Sequence, residues 1–389
     1  MTPGVVWIVG AGQCVAWGVL YYAFGVLVVP VERDLGVARW VVTGAFSAAL
    51  LVSAIAAPTI GAWTDRGRGP ALMQAGGLTA SALLVMWAAF PDVWTTYAVW
   101  SGLGLAMATA LYEPVFAIVG RAIHDGRERL MAIASITVLG GLASSVFLPL
   151  TAILIERVGW RGTVYALAIV LAVSTFVVHH TAFRSLAPRF TATVSRTASW
   201  PASGEAGHVG GLARLIVTFG ASSFASAALA TNLIPALIER SVSPTSAATL
   251  AGLFGVMQLP GRLLIMNGRL SLGPASMVWT SLGLQVAGLA ALVPSTSFSL
   301  IAIGVTLFAC GSGLATLARP YLVLVQFGAD QAGRVNGVIA RAQQVARAGG
   351  PVGAAALAAA IGYGWVFVLL AALLIAVGIG RPLGADGRR

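Results

Sequence analysis

Long apolar runs are the feature that most constrains this chain. Runs of about 20 or more apolar residues, the length of a membrane-spanning helix, recur along nearly the whole sequence. Such runs are too long for buried strands, and the strands of a membrane barrel alternate apolar with polar residues instead. The sequence therefore predicts an all-α integral membrane protein.

Composition supports a lipid environment. Hydrophobic residues make up 58% of the 389 residues and charged residues only 9%, against about 25% charged residues in typical soluble domains. So few charges cannot cover a water-facing surface of ordinary composition. We therefore expect the lipid bilayer to be the main surrounding of the chain.

Twelve predicted spans fall into two groups of six. One linker-like stretch, residues 184–211, separates them and is rich in Ser, Thr, Ala, Pro and Gly. We predict an amino-terminal six-helix bundle (1–183), a cytoplasmic linker (184–211) and a carboxy-terminal six-helix bundle (212–389). The predicted spans are 5–29, 40–62, 71–90, 94–120, 130–155, 160–183, 212–238, 247–266, 275–293, 297–325, 335–360 and 365–379.

An internal repeat indicates that the two bundles are pseudo-symmetric. Three pairs of positions recur at an offset of 205 or 206 residues. Duplicated halves of this kind place a solute site between them, near the middle of the bilayer. The repeated pairs are Glu113-Pro114 with Arg319-Pro320, Gly159-Trp160 with Gly364-Trp365, and Arg129 with Arg334.

The basic charge follows membrane topology. The net charge is +11, and all 23 basic residues are arginines. If the amino terminus is cytoplasmic, fifteen arginines lie on the inner side, five on the outer side and three within spans. By the positive-inside rule, this distribution predicts a multi-pass protein of the bacterial inner (plasma) membrane with both termini cytoplasmic. We expect no nucleic-acid partner.

Charged residues inside spans are candidate functional residues. An ionised side chain at the bilayer centre costs roughly 2.5 to 3.5 kcal/mol on insertion scales unless it faces water or a partner. Glu113 in span four and Arg319 in span ten occupy equivalent depths. We interpret them as a coupling or gating pair; the alternative is a permanent structural ion pair. Pro114 and Pro320 should kink the helices beside these charges.

Span eleven carries a polar stripe. Arg341, Gln344 and Arg347 recur every three residues and so share one helix face. A guanidinium binds a carboxylate through two hydrogen bonds, and the three intramembrane arginines outnumber Glu113. This excess favours an anionic solute. The alternative is that backbone carbonyls or Glu113 satisfy these arginines.

Uncharged candidates lie in spans one and eight. Gln13, Tyr21 and Tyr22 form a polar and aromatic face of span one, and Gln258 in span eight would complement it. Ordinary packing explains each of these residues as well. We predict no metal site and no cofactor.

The segment GAWTDRGRG, residues 61–69, resembles the signature loop of the major facilitator superfamily. Gly61, Asp65 and Arg66 match the family pattern, whereas Arg68 stands where the family has glycine. The resemblance implies a cytoplasmic latch, formed by these matching residues, that holds the inner gate shut. An acid here would also cap the amino end of span eleven. The alternative is a simple charged turn.

Two other segments are similar to a bacterial branch related to monocarboxylate and oxalate carriers: AWGVLYYAFGVLVVPVERDLG from Ala16 and GVMQLPGR from Gly255. Two family features differ. Ala98 occupies a position where many proton-coupled members have arginine, and VLGGLASSVFLPL in span five lacks the Gly-Pro motif of drug antiporters.

These patterns predict a secondary transporter rather than an enzyme. Glu113 is the only acid well inside a span, which leaves no acid–base pair at membrane depth. The chain has no lysine for a phosphate-binding loop, so a gradient must supply the energy. We predict alternating-access transport of a small solute, an organic anion such as a carboxylate, driven by a proton or counter-solute gradient, by a monomer. The alternative is export of hydrophobic or xenobiotic compounds.

Overall fold

The structure, a computed structural model, describes residues 3–37, 39–123, 125–183, 206–242, 244–267, 269–293 and 297–379. These residues form helices and turns without a strand, so the all-α prediction is confirmed. Most of the predicted linker, residues 184–205, lies outside the described residues. Its last six residues begin a helix at Ala206.

The described residues form helices that we number α1 to α14 in chain order. Wider π-turns at Gly18–Tyr22, Thr64–Arg68 and His179–Phe183 follow α1, α3 and α8. The helices are α1 Pro3–Trp17, α2 Ala23–Leu35, α3 Arg39–Trp63, α4 Gly69–Ala89, α5 Val93–Ala110, α6 Tyr112–Ala122, α7 Gly126–Gly141, α8 Ala143–Val178, α9 Ala206–Glu239, α10 Pro244–Val256, α11 Pro260–Met266, α12 Pro274–Leu292, α13 Phe298–Phe327 and α14 Ala332–Ile379.

Helix length and composition suit a bilayer. Within the described ranges, nine stretches are long and apolar enough to cross a membrane. Two of them, Val41–Ala89 and Gly126–Phe183, contain 49 and 58 residues, far more than the about 20 that one crossing needs. The count of twelve crossings stays a prediction.

Glycines interrupt the longest helices where the sequence predicts a change of span. Gly159 within α8 has φ 70° and ψ 172°, and Gly362 within α14 has φ 80° and ψ 155°. Side chains other than glycine rarely adopt this backbone region. In α8 the interruption is at Gly159, the glycine of the repeated Gly-Trp pair. In α14 it is at Gly362, two residues before the matching Gly364.

The chain divides into two compact units. The first contains the described residues of Met1–Thr197 together with Ala329–Arg341, and the second contains those of Ala198–Gly328 and Ala342–Arg389. The beginning of α14 therefore belongs to the first unit, although most of this helix belongs to the second.

Each unit has its own core. In the first unit, edge-to-face aromatic pairs pack between helices, with ring centroids of Trp87 and Trp100 5.4 Å apart and those of Phe24 and Trp100 4.5 Å apart. In the second unit, α12 and α13 approach closely at small residues. A Cβ added at Gly288 would lie 2.6 Å from the Gly304 carbonyl oxygen. Close approach at small residues is typical of helix packing in membranes.

Replacing Gly159 with alanine should lower the free energy of unfolding by about 1 to 3 kcal/mol, because alanine is strained at this φ and ψ. Gly25→Ala is the control, since Gly25 lies in a regular helix and an added Cβ meets nothing within 4 Å. Thermal unfolding of the purified proteins in one detergent measures both effects. Equal stability of the two variants would contradict the prediction that alanine is strained at position 159.

Candidate functional site

The first unit contains a broken helix at the predicted site of Glu113. Helix α5 ends at Ala110, Leu111 is extended with φ −84° and ψ −161°, and α6 begins at Tyr112. Pro114 is the third residue of α6, where a missing N–H removes no bond within the helix. The prediction of an irregularity beside Glu113 is confirmed. By contrast, α13 continues through Pro320 without a break.

Gln13 bonds to the backbone at this break. Because the helix is interrupted at Leu111, the Ala110 carbonyl at the end of α5 receives no hydrogen bond from the residue four positions further along the chain. The Nε2 of Gln13 donates to this carbonyl oxygen at 2.8 Å, and the side chain is only 2% exposed. The amide that we predicted to bind solute therefore holds the broken helix against α1.

An aromatic cluster surrounds the break. The ring of Trp17 lies 5.4 Å from Tyr21 and 5.0 Å from Tyr112, and Tyr21 lies 5.3 Å from Tyr22. Tyr21 and Tyr22 are half-buried and belong to the π-turn after α1; single wide turns of this kind are frequent at functional sites. Glu113 follows Tyr112 in the first turn of α6 and is half-buried.

A small cleft adjoins the break, and both Gln13 and Ala110 line it. Its lining includes Gln13, Gln74, Ser174 and His179, and its volume is about 30 Å³, room for about two water molecules. Within the part of the chain that the structure describes, Gln13 Oε1 and His179 Nδ1 are buried without a hydrogen-bond partner. The cleft suits water rather than an organic solute.

Replacing Gln13 with leucine should destabilise the protein by about 1 to 3 kcal/mol, because it leaves the Ala110 carbonyl buried without this donor. Gln74→Leu should have a smaller effect, because Gln74 lines the same cleft but is not the donor to the Ala110 carbonyl. Thermal unfolding compares the two variants. Equal losses would show that Gln13 does not specifically support the break.

At the predicted cytoplasmic end of the first unit, Asp65 caps α14. Its Oδ1 accepts a hydrogen bond from the backbone N–H of Gly333 at 2.7 Å, and its Oδ2 accepts one from Arg334 at 2.6 Å. These donors belong to the first turn of the helix and have no partner within it. The predicted contact between Asp65 and the amino end of span eleven is confirmed.

Glycines allow this close approach. A Cβ on Gly61 would overlap the carbonyl oxygen of Gly333, and a Cβ on Gly333 would lie 2.5 Å from Asp65 Oδ1. Gly67 supplies the left-handed residue of the turn, with φ 82°. Arg68, where the family pattern has glycine, adopts ordinary helical angles, so the turn requires no glycine there. Arg66 is exposed on this turn.

Two residues without a role in the sequence predictions, Arg121 and Asp330, contribute to the electrostatic environment of Asp65. Burial raises the pKa of Asp65 to about 6, while the backbone hydrogen bonds from Arg334 and Gly333 and the charge of Arg121 oppose this rise. Arg121 also lies 3.8 Å from Asp330. Asp330 is largely exposed, so this ion pair contributes only about 0 to 1 kcal/mol.

Asp65 should make stability depend on pH. Its folded-state pKa of about 6 exceeds the ordinary value of 3.8, so the folded protein holds a proton that the unfolded chain releases between these values. The contribution of Asp65 to stability should therefore fall as pH rises from about 4 to about 6 and stay level above that, by up to about 3 kcal/mol.

Thermal unfolding across pH 4–8, compared with Asp65→Asn, measures this change. The stability of the wild type relative to the variant should decrease with rising pH in the lower half of this range. A constant difference would contradict the raised pKa.

In the second unit, Arg319 is held by a polar side chain from another helix. It is 6% exposed in α13, and its Nη1 donates to Oε1 of Gln343 in α14. Gln343 Nε2 in turn donates to Ser223 Oγ at 2.8 Å and to the Phe219 carbonyl at 3.5 Å, both in α9. The sequence pattern singles out the neighbouring Gln344 and not Gln343. Spacing along one helix does not reveal which of two adjacent glutamines contacts an arginine on another helix.

The predicted stripe on α14 divides between the two units. Arg341 is exposed and is the last residue of the segment that belongs to the first unit, whereas Gln344 and Arg347 are half-buried in the second. Gln344 Oε1 is buried without a hydrogen-bond partner among the described residues.

Gln258 lies at a break in predicted span eight. It is half-buried in the turn between α10 and α11, where its backbone packs against Gly313 of α13. Arg262 in α11 is only 4% exposed, and it donates to the Gly313 carbonyl and to Thr316 Oγ1, each at 3.2 Å. This arginine therefore joins α11 to α13.

Comparison of this chain with known protein families and sequences identifies its family. The family model of the Major Facilitator Superfamily matches residues 6–206. No curated protein sequence matches the chain.

Two solved structures share the fold. The human organic anion transporter MFSD10 (TETRAN) is 17% identical, with a TM-score of 0.71 over 96% of this chain and 97% of that one. The proton:xylose symporter XylE bound to 6-bromo-6-deoxy-D-glucose is 10% identical, with a TM-score of 0.74 over 97% and 94%. The predicted fold class and the prediction of a transporter rather than an enzyme are confirmed. Because the family model covers more than half of the sequence, this multi-pass membrane protein belongs to the major facilitator superfamily.

Proposed function

We propose that this protein is a secondary active transporter of a small organic anion, such as a carboxylate, and that it works by alternating access. The observation that carries this proposal is the burial of Arg319 within α13, where a neutral amide contacts its guanidinium. A buried cation in an apolar helix is unfavourable unless it serves a polar partner or a solute.

The arginines of α13 and α14 are the reason for proposing an anionic solute. Arg319 and Arg347 belong to the second unit, and Arg341 ends the α14 segment of the first. Glu113 is the only acid predicted well within a span, so a bound anion would offset excess positive charge. One structural relative is an organic anion transporter and the other a proton:xylose symporter, but at 17% and 10% identity they support the fold alone.

Coupling is proposed for Glu113 and gating for the turn around Asp65. Glu113 lies in the first turn of a half-helix, at a break of the kind that lines transport sites. Asp65 holds the beginning of α14 through two backbone hydrogen bonds. Gly61, near the end of α3, allows the close approach of Gly333, and Arg66 lies in the same turn as Asp65. Release of these bonds would free the first turn of α14 during the transport cycle, with a proton or counter-solute gradient as the energy source.

The finer organisation is proposed on the same basis. We propose six-helix bundles at 1–183 and 212–389, joined by a cytoplasmic linker at 184–211. Further proposed solute contacts are Gln13, Tyr21, Tyr22, Gln258 and Gln344. The arginine distribution supports cytoplasmic termini in a bacterial inner membrane, and sequence likeness to monocarboxylate and oxalate carriers supports the carboxylate class. We propose a functional monomer.

Export of a hydrophobic compound is the second candidate. The aromatic cluster of Trp17, Tyr21, Tyr22 and Tyr112 favours it, since stacked rings offer a large apolar surface. The three intramembrane arginines have no evident use in this alternative.

Uptake of radiolabelled acetate, lactate, oxalate and succinate into proteoliposomes tests the anion proposal. Arg319→Gln, Arg341→Gln and Arg347→Gln should each reduce uptake of the transported probe. The loss should be about tenfold or more for Arg319, because a buried arginine–carboxylate pair is worth well over 1.4 kcal/mol, and smallest for the exposed Arg341. Arg127→Gln, at an exposed position, is the control and should leave uptake unchanged. Full activity of all three variants, or transport of none of the four probes, would contradict the proposal.

A further inference from the structure

The contacts between α9, α13 and α14 assign a role to a residue outside the predicted site. We propose that Gln343 is a positioning residue that fixes the guanidinium of Arg319 next to Arg347, so that the two arginines form one binding site for a carboxylate. This inference rests on the proposed function, and it adds the residue that determines the geometry of the site.

Both ends of the Gln343 amide are in use. Its oxygen accepts from Arg319 Nη1, and its nitrogen donates to Ser223 Oγ at 2.8 Å. The carbonyl of Phe219 lies 3.5 Å from the same nitrogen. Because Ser223 and Phe219 offer acceptors from α9, the amide cannot flip without losing bonds at both ends. Its orientation, and with it the position of the arginine, is therefore determined.

Burial makes this chain of contacts rigid. Ser223 and Arg319 are both 6% exposed and Phe219 is 1% exposed, and Gln343 between them is half-buried. A buried polar group left without its partner is strongly disfavoured, so the contacts form or break together. Arg319 is consequently presented in one arrangement rather than in several rotamers.

Gln343 also connects Arg319 to the polar stripe. Residues four apart on a helix are neighbours on one face, so Gln343 and Arg347 lie side by side on α14. Arg319, bonded to Gln343, is thereby brought to the face that carries Arg347. One guanidinium can bond to both oxygens of a carboxylate, and a second one on the same face adds positive charge and donors for the remaining lone pairs.

The neutral amide has a specific consequence at this position. Glutamine holds a guanidinium through a hydrogen bond without cancelling its charge. Glutamate would hold it at least as firmly but would neutralise it and compete with a carboxylate solute. Gln343→Glu therefore separates two roles, because it keeps the arginine in place while it removes the attraction for anions.

The experiment uses the full chain in proteoliposomes and the probes acetate, lactate, oxalate and succinate. Initial uptake rates over a range of concentrations give KM and kcat for the wild type, Gln343→Leu, Gln343→Glu and Ser223→Ala, each alone and with Arg319→Gln. Gln343→Leu should raise KM about tenfold with little change in kcat. Gln343→Glu should raise it further, and Ser223→Ala should raise it only about threefold. With Arg319→Gln present, Gln343→Leu should have no additional effect on KM.

Thermal unfolding without solute separates positioning from folding. Gln343→Glu should unfold no lower than the wild type while it loses affinity, which a purely structural role would not produce. An unchanged KM in Gln343→Leu, or an equal further rise in KM when it is combined with Arg319→Gln, would overturn the inference and leave the proposed function intact. No effect of Arg319→Gln itself, or no uptake of any probe, would overturn both.

Discussion

The bilayer offers no water to the polypeptide backbone, and this constraint explains most of the structure. Each N–H and C=O at membrane depth needs a partner within the protein, so the described residues are helical almost throughout. Backbone groups at helix ends and interruptions then need other partners. The Gln13 side chain from α1 donates to the Ala110 carbonyl, and the Asp65 carboxylate accepts from the N–H groups of Gly333 and Arg334. At Gly159 the chain can leave the helix because glycine has no Cβ.

Sequence patterns predicted the helical class because hydrophobic length alone distinguishes spanning helices from strands. They also predicted the irregularity at Glu113 and the cap formed by Asp65, since proline and a signature acid act locally or in a recurring context. They did not predict the partner of Arg319. Gln343 and Gln344 are adjacent and chemically identical, and only the rotation of α14 relative to α13 decides between them.

Two residues predicted to bind solute, Gln13 and Gln258, make contacts within the protein in the described fold. Gln13 donates to a backbone carbonyl, and Gln258 lies in a turn whose backbone packs on Gly313. Sequence alone does not separate these uses from solute contact, because a glutamine within a span is compatible with either use. Arg262 illustrates the same limit: its position near a span end favours a solvated arginine, whereas its guanidinium bonds to α13.

The pairing of Gln13 with the break before Pro114 has an evolutionary consequence. With Leu111 extended, the Ala110 oxygen depends on the glutamine in α1, whereas a helix that ran on without interruption would supply a backbone donor instead. Loss of the glutamine should therefore be tolerated only where the helix is continuous. Among relatives of this transporter, position 13 and the residues of the break are expected to change in concert.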